Sequence, residues 1–313
     1  MFMNDLTNRN YFRQSPELIN GNFSLSKSEG DLFYAVLTAI DKDDEEFKDY
    51  TFTKSQLQKK LDLELNSTQL RATAKSLMRK VFEIYKNEKS WEMMGFSYFK
   101  YEDELLTCRF DKNLKPYLLQ IKPFVVTDLR HILQIRSEYS RRIYLLLKER
   151  YKFGTRKFNI EKLMDMMEVK KSYRQYSNFK REVLNKAVKD INRFTDIEIK
   201  NLGTAKKPIY FEEEKFGKKV VEVVFHFKRN HNDLKTFIKS IREFHINEPL
   251  FATSDGRVLK CSEKGLLYYA DDVMAWIDEK KAMQLWEYLH DNRENLFIYN
   301  QNSVEDIIKK LQD

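Results

Sequence analysis

Shifting the chain against itself by 106 positions brings two long stretches into register without a gap. Phe33, Leu37 and Ile40 fall on Tyr139, Ile143 and Leu146. Phe52, Leu57 and Leu61 fall on Phe158, Leu163 and Met167, and Leu70, Leu77 and Met78 fall on Tyr176, Val183 and Leu184. Every pair is apolar on apolar. One apolar rhythm running through three consecutive segments means two copies of one small fold, and that constrains the architecture more than any other feature.

Each copy reads as three helices followed by a β-hairpin. In the first, helical spacing runs from Leu25-Ser26-Lys27-Ser28-Glu29 through Leu32, Phe33, Val36, Leu37 and Ile40. Thr53-Lys54-Ser55-Gln56 has capping-box spacing ahead of Leu57 and Leu61. Asn66-Ser67 caps a third helix through Leu70, Ala74, Leu77, Met78 and Val81. Extended segments at Trp91–Tyr101 and Leu105–Phe110 follow, joined by the polar turn Glu102-Asp103-Glu104. In the second copy, helices run through Tyr139–Leu147, near Ile160–Met167, and from about Ser172 or Ser177 to Asn192. Strands are expected at Ile197–Ile199 and Val220–Phe227, with turns near Lys206-Lys207-Pro208 and Gly217-Lys218-Lys219.

The fold class is therefore α+β: two tandem winged-helix domains, three helices and a hairpin wing each, followed by a small C-terminal α+β domain. The expected divisions are an N-terminal arm at 1–21, a first winged helix at 22–120, a stiff linker at 121–127 around Pro116 and Pro123, a second winged helix at 128–230, and an acidic domain at 231–313. In that last part, helices are expected at Leu234–Phe244 and Glu279–Leu289, a hairpin around Glu263-Lys264-Gly265, and a short strand at Phe297–Tyr299 before a final helix.

Charge separates the two copies. Residues 1–130 hold 20 Lys/Arg and 20 Asp/Glu, residues 131–230 hold 25 against 13, and residues 231–313 hold 11 against 15. The positive excess thus sits in the second repeat, which favours a polyanionic partner.

In a helix-turn-helix module the last helix enters the major groove. On the second copy, Phe179, Val183, Leu184, Ala187 and Ile191 form its apolar face, and 100° per residue places Arg174, Asn178, Arg181 and Asn185 in a row opposite. Arginine and asparagine make bidentate contacts to guanine and adenine. Lys180, Lys186 and Lys189 flank the row and suit phosphates, as do Lys218 and Lys219 in the wing. In the first copy the row becomes Thr68, Ala72, Lys75 and Arg79, flanked by Arg71 and Lys80. It has fewer hydrogen-bonding forks, so it suits phosphate contact better than base reading.

The stretch Tyr139-Ser140-Arg141-Arg142-Ile143-Tyr144-Leu145-Leu146 resembles the opening helix of the initiator replication proteins of iteron plasmids. So do Phe179–Leu184 with Ala187, Ile191-Asn192 followed by Thr195-Asp196-Ile197, and Gly217-Lys218-Lys219-Val220 with Phe225. The resemblance covers roughly residues 20–230 and is most specific over 139–197. It implies a bacterial, cytoplasmic protein that binds directly repeated double-stranded DNA at a plasmid origin, helps open an adjacent AT-rich region, and recruits host proteins such as the replicative helicase and the host initiator. It also implies a homodimer in one state, repressing the protein's own gene, with bases read by the second domain's recognition helix and backbone contacts and the dimer interface supplied by the first; carried over by position, the second-domain contacts would be Arg174, Asn178, Lys180, Arg181 and Asn185. The first wing lacks a basic turn and the acidic tail lies outside the shared core, so neither role carries over. A tandem winged-helix repressor without a replication role is the alternative.

Catalysis has little support in the residues. His131, His226, His231, His245 and His290 form no His-x-His pair for a metal-dependent nicking tyrosine, and no Gly-rich loop ends in Gly-Lys-Ser/Thr. His226, His231 and Cys261 lack zinc-ligand spacing. No enzyme activity, cofactor, metal or membrane span is expected. The start MFMNDLTNRN shows no secretory signal, and Cys108 and Cys261 suit a reducing compartment.

Overall fold

The computed structural model describes residues 10–230 apart from 42–43, 88–89 and 120–122, and the backbone of four strands between 249 and 276. The chain divides into two compact units, Met1–Asn230 and His231–Asp313.

The first unit opens with β1 (Tyr11–Gln14) and α1 (Pro16–Asn20), the latter capped by Ser15 Oγ, which accepts from Leu18 N. The first copy follows as α2 (Lys27–Leu37), β2 (Tyr50–Thr53), α3 (Lys54–Leu61) and α4 (Ser67–Leu77). The capping box is present: Gln56 N donates to Thr53 Oγ1 at 3.0 Å and Thr53 N to Gln56 Oε1 at 2.8 Å. Four strands come next, β3 (Phe82–Asn87), β4 (Ser90–Met94), β5 (Phe96–Glu102) and β6 (Leu105–Phe110). The single extended segment expected over Trp91–Tyr101 is in fact split at Gly95, where a Cβ would lie 2.6 Å from Lys80 O. Two hairpins result: β3 pairs with β4, and β5 with β6 across a turn in which Asp103 and Glu104 both have positive φ.

A short α5 (Lys115–Leu118) precedes β7 (Val125–Asp128) and α6 (Leu129–Gln134). The second copy is α7 (Glu138–Glu149), β8 (Thr155–Asn159), α8 (Ile160–Met166), then α9 (Tyr176–Phe179), a π turn (Lys180–Leu184) and α10 (Asn185–Phe194) in one continuous run. It closes with β9 (Ile197–Ile199), β10 (Phe211–Phe216) and β11 (Lys219–Arg229). The sheets correspond strand for strand: β2-β6-β5 in one copy, β8-β11-β10 in the other, with β9 added against β11. The duplication read from the apolar pattern is thus a duplication of topology.

Three expectations about boundaries change. Of the arm expected at 1–21, the described part is built into the fold, because β1 pairs antiparallel with β7 from Tyr11↔Asp128 to Gln14↔Val125. The linker region is correspondingly a strand over its second half. The third helix also differs between copies. In the first it stops at Leu77, leaving Met78 39% exposed; its repeat partner Leu184 is fully buried, because the second helix runs on through α10, which packs on α7. Val81, expected on the apolar face, is exposed.

The two copies meet through the arginines that follow Ser140. Arg141 Nη2 donates to Asp31 Oδ1 at 2.5 Å and Arg141 Nη1 to Lys27 O at 3.1 Å. Arg142 lies 3.8 Å over the Phe23 ring and donates to Gly21 O at 2.7 Å; burial lowers its pKa to about 10. Arg156 Nη2 adds a bond to Asn20 Oδ1 at 2.5 Å. These guanidiniums fasten α7 and β8 of the second copy to α1, α2 and the Gly21–Phe23 segment of the first.

In the second unit, β12 (Pro249–Ala252), β13 (Val258–Ser262), β14 (Gly265–Ala270) and β15 (Val273–Trp276) form an antiparallel meander. The hairpin expected around Glu263–Gly265 is its centre, with Ser262 opposite Gly265. The helices expected at Leu234–Phe244 and Glu279–Leu289, the Phe297–Tyr299 strand and the last helix lie outside the described residues.

Candidate nucleic-acid interface

The apolar face predicted for the second copy's last helix is correct at every position. Phe179, Val183, Leu184, Ala187 and Ile191 are all buried, with Val188 beside them. That burial fixes which side chains face outward. Arg181, Asn185, Lys186 and Lys189 are exposed, and Asn178 is partly so. The side chains of Asn185, Lys186 and Lys189 have no hydrogen bond or ion pair among the described residues, leaving an amide and two ammonium groups free on one surface. Arg181 Nη2 donates to Asn178 Oδ1 at 3.2 Å and Arg181 Nε to Glu182 Oε1 at 2.6 Å. Its guanidinium is thus held beside the asparagine by exposed bonds that a ligand can replace.

Arg174 does not belong to this row. The helix begins at Tyr176, and Arg174 ends the preceding one-turn helix (Lys171–Tyr173). Its Nη2 pairs with Asp165 at 2.7 Å and its Nε donates to Val169 O, so it braces the turn between α8 and α9. Even spacing of 100° per residue also fails between Lys180 and Leu184, where the backbone makes a π turn. Lys180 likewise points to the wing. Its Nζ lies 2.6 Å from Glu213 Oε1 on β10, which also accepts from Tyr176 Oη at 2.7 Å. Partial burial raises the Glu213 pKa, but the bonds from Lys180 and Tyr176 outweigh it and hold the carboxyl below its usual range.

The wing therefore rises from the helix it accompanies. At its tip Gly217 takes a positive φ of 59°, and Lys218 is exposed without an ion pair among the described residues, while Lys219 pairs with Glu161 at 2.5 Å. The acidic stem has partners within the fold: Lys157 bridges Glu214 at 2.7 Å and Glu222 at 2.9 Å, and His226 bonds to Glu212 at 3.0 Å. Glu213 and Phe216 were not singled out in the sequence, and Tyr176 only as an apolar match to Leu70. Phe216 had a signal, since it stands an odd number of residues from the core residue Phe211 and strand alternation sends it to the other face.

On the first copy, α4 carries Thr68, Arg71, Ala72 and Lys75, with Arg71 and Ala72 exposed. Arg79 and Lys80 lie past its end, and Lys80 pairs with the buried Glu29 at 3.4 Å. The row assembled by subtracting the repeat length is therefore only partly a helix face. The first wing's turn is acidic, as expected.

Asn192, Thr195 and Asp196, which help carry the resemblance, bond within the fold. Asn192 clamps both sides of Ile199, accepting from its N at 2.6 Å and donating to its O at 3.1 Å. Thr195 Oγ1 donates to Ile191 O, and buried Asp196 accepts from Tyr144 Oη at 2.8 Å and pairs with Lys148. Among the described residues, no helix is long and apolar enough to cross a membrane and no cluster of potential ligands could hold a metal.

Two winged helices in tandem, the second with an exposed basic helix fastened to its wing, define a helix-turn-helix protein of the nucleic-acid-binding class. The chain belongs to the initiator replication protein family. The family's first winged-helix domain, described as "Initiator Replication protein, WH1", matches residues 11–148, and its second, "Initiator Rep protein, WH2", matches residues 159–227. A "Replication initiation protein" of Escherichia coli is 31% identical over 138 residues, covering 42% of this chain and 43% of that relative, so the match spans under half of its length. A structure of domains 2 and 3 of RctB aligns over 64% of this chain and 80% of the other, with a TM-score of 0.37 and 10% identity. At that distance it says nothing further about this chain.

Proposed function

We propose that this chain starts plasmid replication by binding directly repeated double-stranded DNA at an origin, without catalysing a reaction, in the bacterial cytoplasm. The observation that carries this reading is the outward surface of α10. The side chains of Asn185, Lys186 and Lys189 stand free on a helix whose opposite face is locked into the core, with Arg181 about one turn and Asn178 about two turns earlier. Arg181, Asn178 and Asn185 supply base contacts and the lysines phosphate contacts. Opening of an AT-rich region would draw on binding energy and DNA bending. Contacts to a host helicase and initiator belong to the same proposal.

A homodimer in one state, repressing the protein's own gene, has support in the β3–β4 hairpin. Tyr85 faces Trp91 and Glu83 faces Met93 across the ladder, and Trp91 and Met93 are each 55% exposed, with Val81 exposed nearby. An apolar ribbon face of this kind favours a protein partner, and a second copy has the same face to offer. Footprinting on the DNA beside the gene tests the whole reading. Protected direct repeats next to an AT-rich stretch support the initiator, whereas a lone protected palindrome over the promoter makes the protein a repressor. Relaxation of supercoiled plasmid with a divalent metal would make it a nicking enzyme.

A further inference from the structure

Phe216 is 82% exposed, more than any other large apolar side chain among the described residues. It ends β10 at the tip of the second wing, before Gly217, where even an added Cβ would meet nothing within 4 Å. At the other end of the same strand, Phe211 is buried with its ring 5.2 Å from Phe225. The ladder steps from Glu214↔Glu222 to Lys215↔Val220, an irregularity that bends the tip. An exposed phenyl ring on a hairpin tip adds nothing to the core and costs solubility, so its place calls for a partner. Lys215 and Lys218 flank it with no ion pair among the described residues, so a polyanion can approach the ring. The Lys180–Glu213–Tyr176 link sets the height of the tip relative to the recognition helix.

We propose, resting on the DNA-binding reading above, that Phe216 is a wedge: it inserts from the minor groove between two base pairs flanking the site read by α9–α10, unstacking that step. Apolar side chains inserted this way kink the duplex, and pyrimidine–purine steps yield most easily. The second wing would then add deformability to the site's specificity and begin the distortion at the bound repeat itself. Lys215 and Lys218 hold the phosphates on either side of the opened step.

The test uses the full chain and a duplex that it selects from a randomised pool, probed with permanganate, which attacks unstacked thymines. Wild type should make a thymine beside the selected site hyper-reactive. Phe216→Ala should abolish that reactivity and weaken binding about tenfold, as loss of an aromatic–base stack does, with the salt slope unchanged because no charge is removed. Phe216→Trp should retain both. Reactivity that survives in Phe216→Ala overturns the wedge, as does unaltered affinity; weakened binding with reactivity intact would put the ring on the backbone instead. A chain that selects no duplex fails the DNA-binding reading, whereas one that selects a site, loses base choice in Arg181→Ala and ignores Phe216→Ala fails the wedge alone.

Discussion

Lys180 and Glu213 lie 2.6 Å apart, and that pair joins the middle of the candidate recognition helix to the stem of the wing. Both lysine and carboxylate are partly exposed, so the pair contributes under about 1 kcal/mol to stability. Its value is positional. Glu213→Gln should weaken specific binding several-fold while leaving the helical circular dichroism intact. The sign of the pH effect follows from the lowered carboxyl pKa: the pair stabilises the fold above the ordinary value of 4.5 and is lost as pH falls through the lower folded value. The Tm difference between wild type and Glu213→Gln should persist above 4.5 and close below it; a difference independent of pH would remove the ionic link.

Arg181 and Lys189 share one surface, and the proposed function gives them different tasks. Arg181→Ala should cost about 1–3 kcal/mol on a selected site and relax base choice there. Lys189→Ala should weaken specific and random DNA alike and lower the salt slope by about one. Titrations at several salt concentrations separate the two, and equal losses from Arg181→Ala on both DNAs would remove the base-reading role.

Asp196 is completely buried, with Tyr144 and Lys148 bonded to its two oxygens. Replacing Lys148 with Met takes away the lysine that pairs with that carboxylate and leaves the Tyr144 bond in place; breaking a buried pair on one side costs about 3–5 kcal/mol. Urea denaturation should show a midpoint lowered accordingly, with an unchanged m-value. A shift within experimental error would mean that the site takes up water.

On the β3–β4 ribbon, Met93→Glu places a charge at the centre of the exposed apolar face. Sedimentation equilibrium should show dimers of wild type and monomers of Met93→Glu, with repeat binding by the monomer preserved. Dimers that persist in the variant would locate the self-contact elsewhere.

Much of this was legible in the residues because it depends on local chemistry. Thr53 and Gln56 announce their reciprocal cap, and the spacing from Phe179 to Ile191 announces a buried face. The strand Tyr11–Gln14 was not legible, because its partner Val125–Asp128 lies across the whole first copy and neither segment alternates clearly. The internal partners of Arg174 and Lys180 were not legible for another reason. A basic side chain near a recognition helix has the same sequence signature whether it meets DNA or an internal carboxylate, and only the fold brings Asp165 and Glu213 within reach. The π turn was hidden because a hydrophobic spacing of three and four tolerates a wider turn.

That turn has a consequence for how such a surface can change. A π turn holds about one residue more than the α-helical turn it replaces, and each helical residue advances the face by about 100°. Val183 and Leu184 lie within it, α9 before it and α10 after it, each half set against its own part of the core. Removing one residue between Lys180 and Leu184 would restore a regular helix and leave Ala187, Val188 and Ile191 in phase with their contacts, because the wider turn spreads its extra residue over about the same rotation. The turn therefore lodges an additional residue in the middle of the helix without unseating either half from the core. In this protein the candidate recognition surface can lose a residue there while both flanking faces stay where they are.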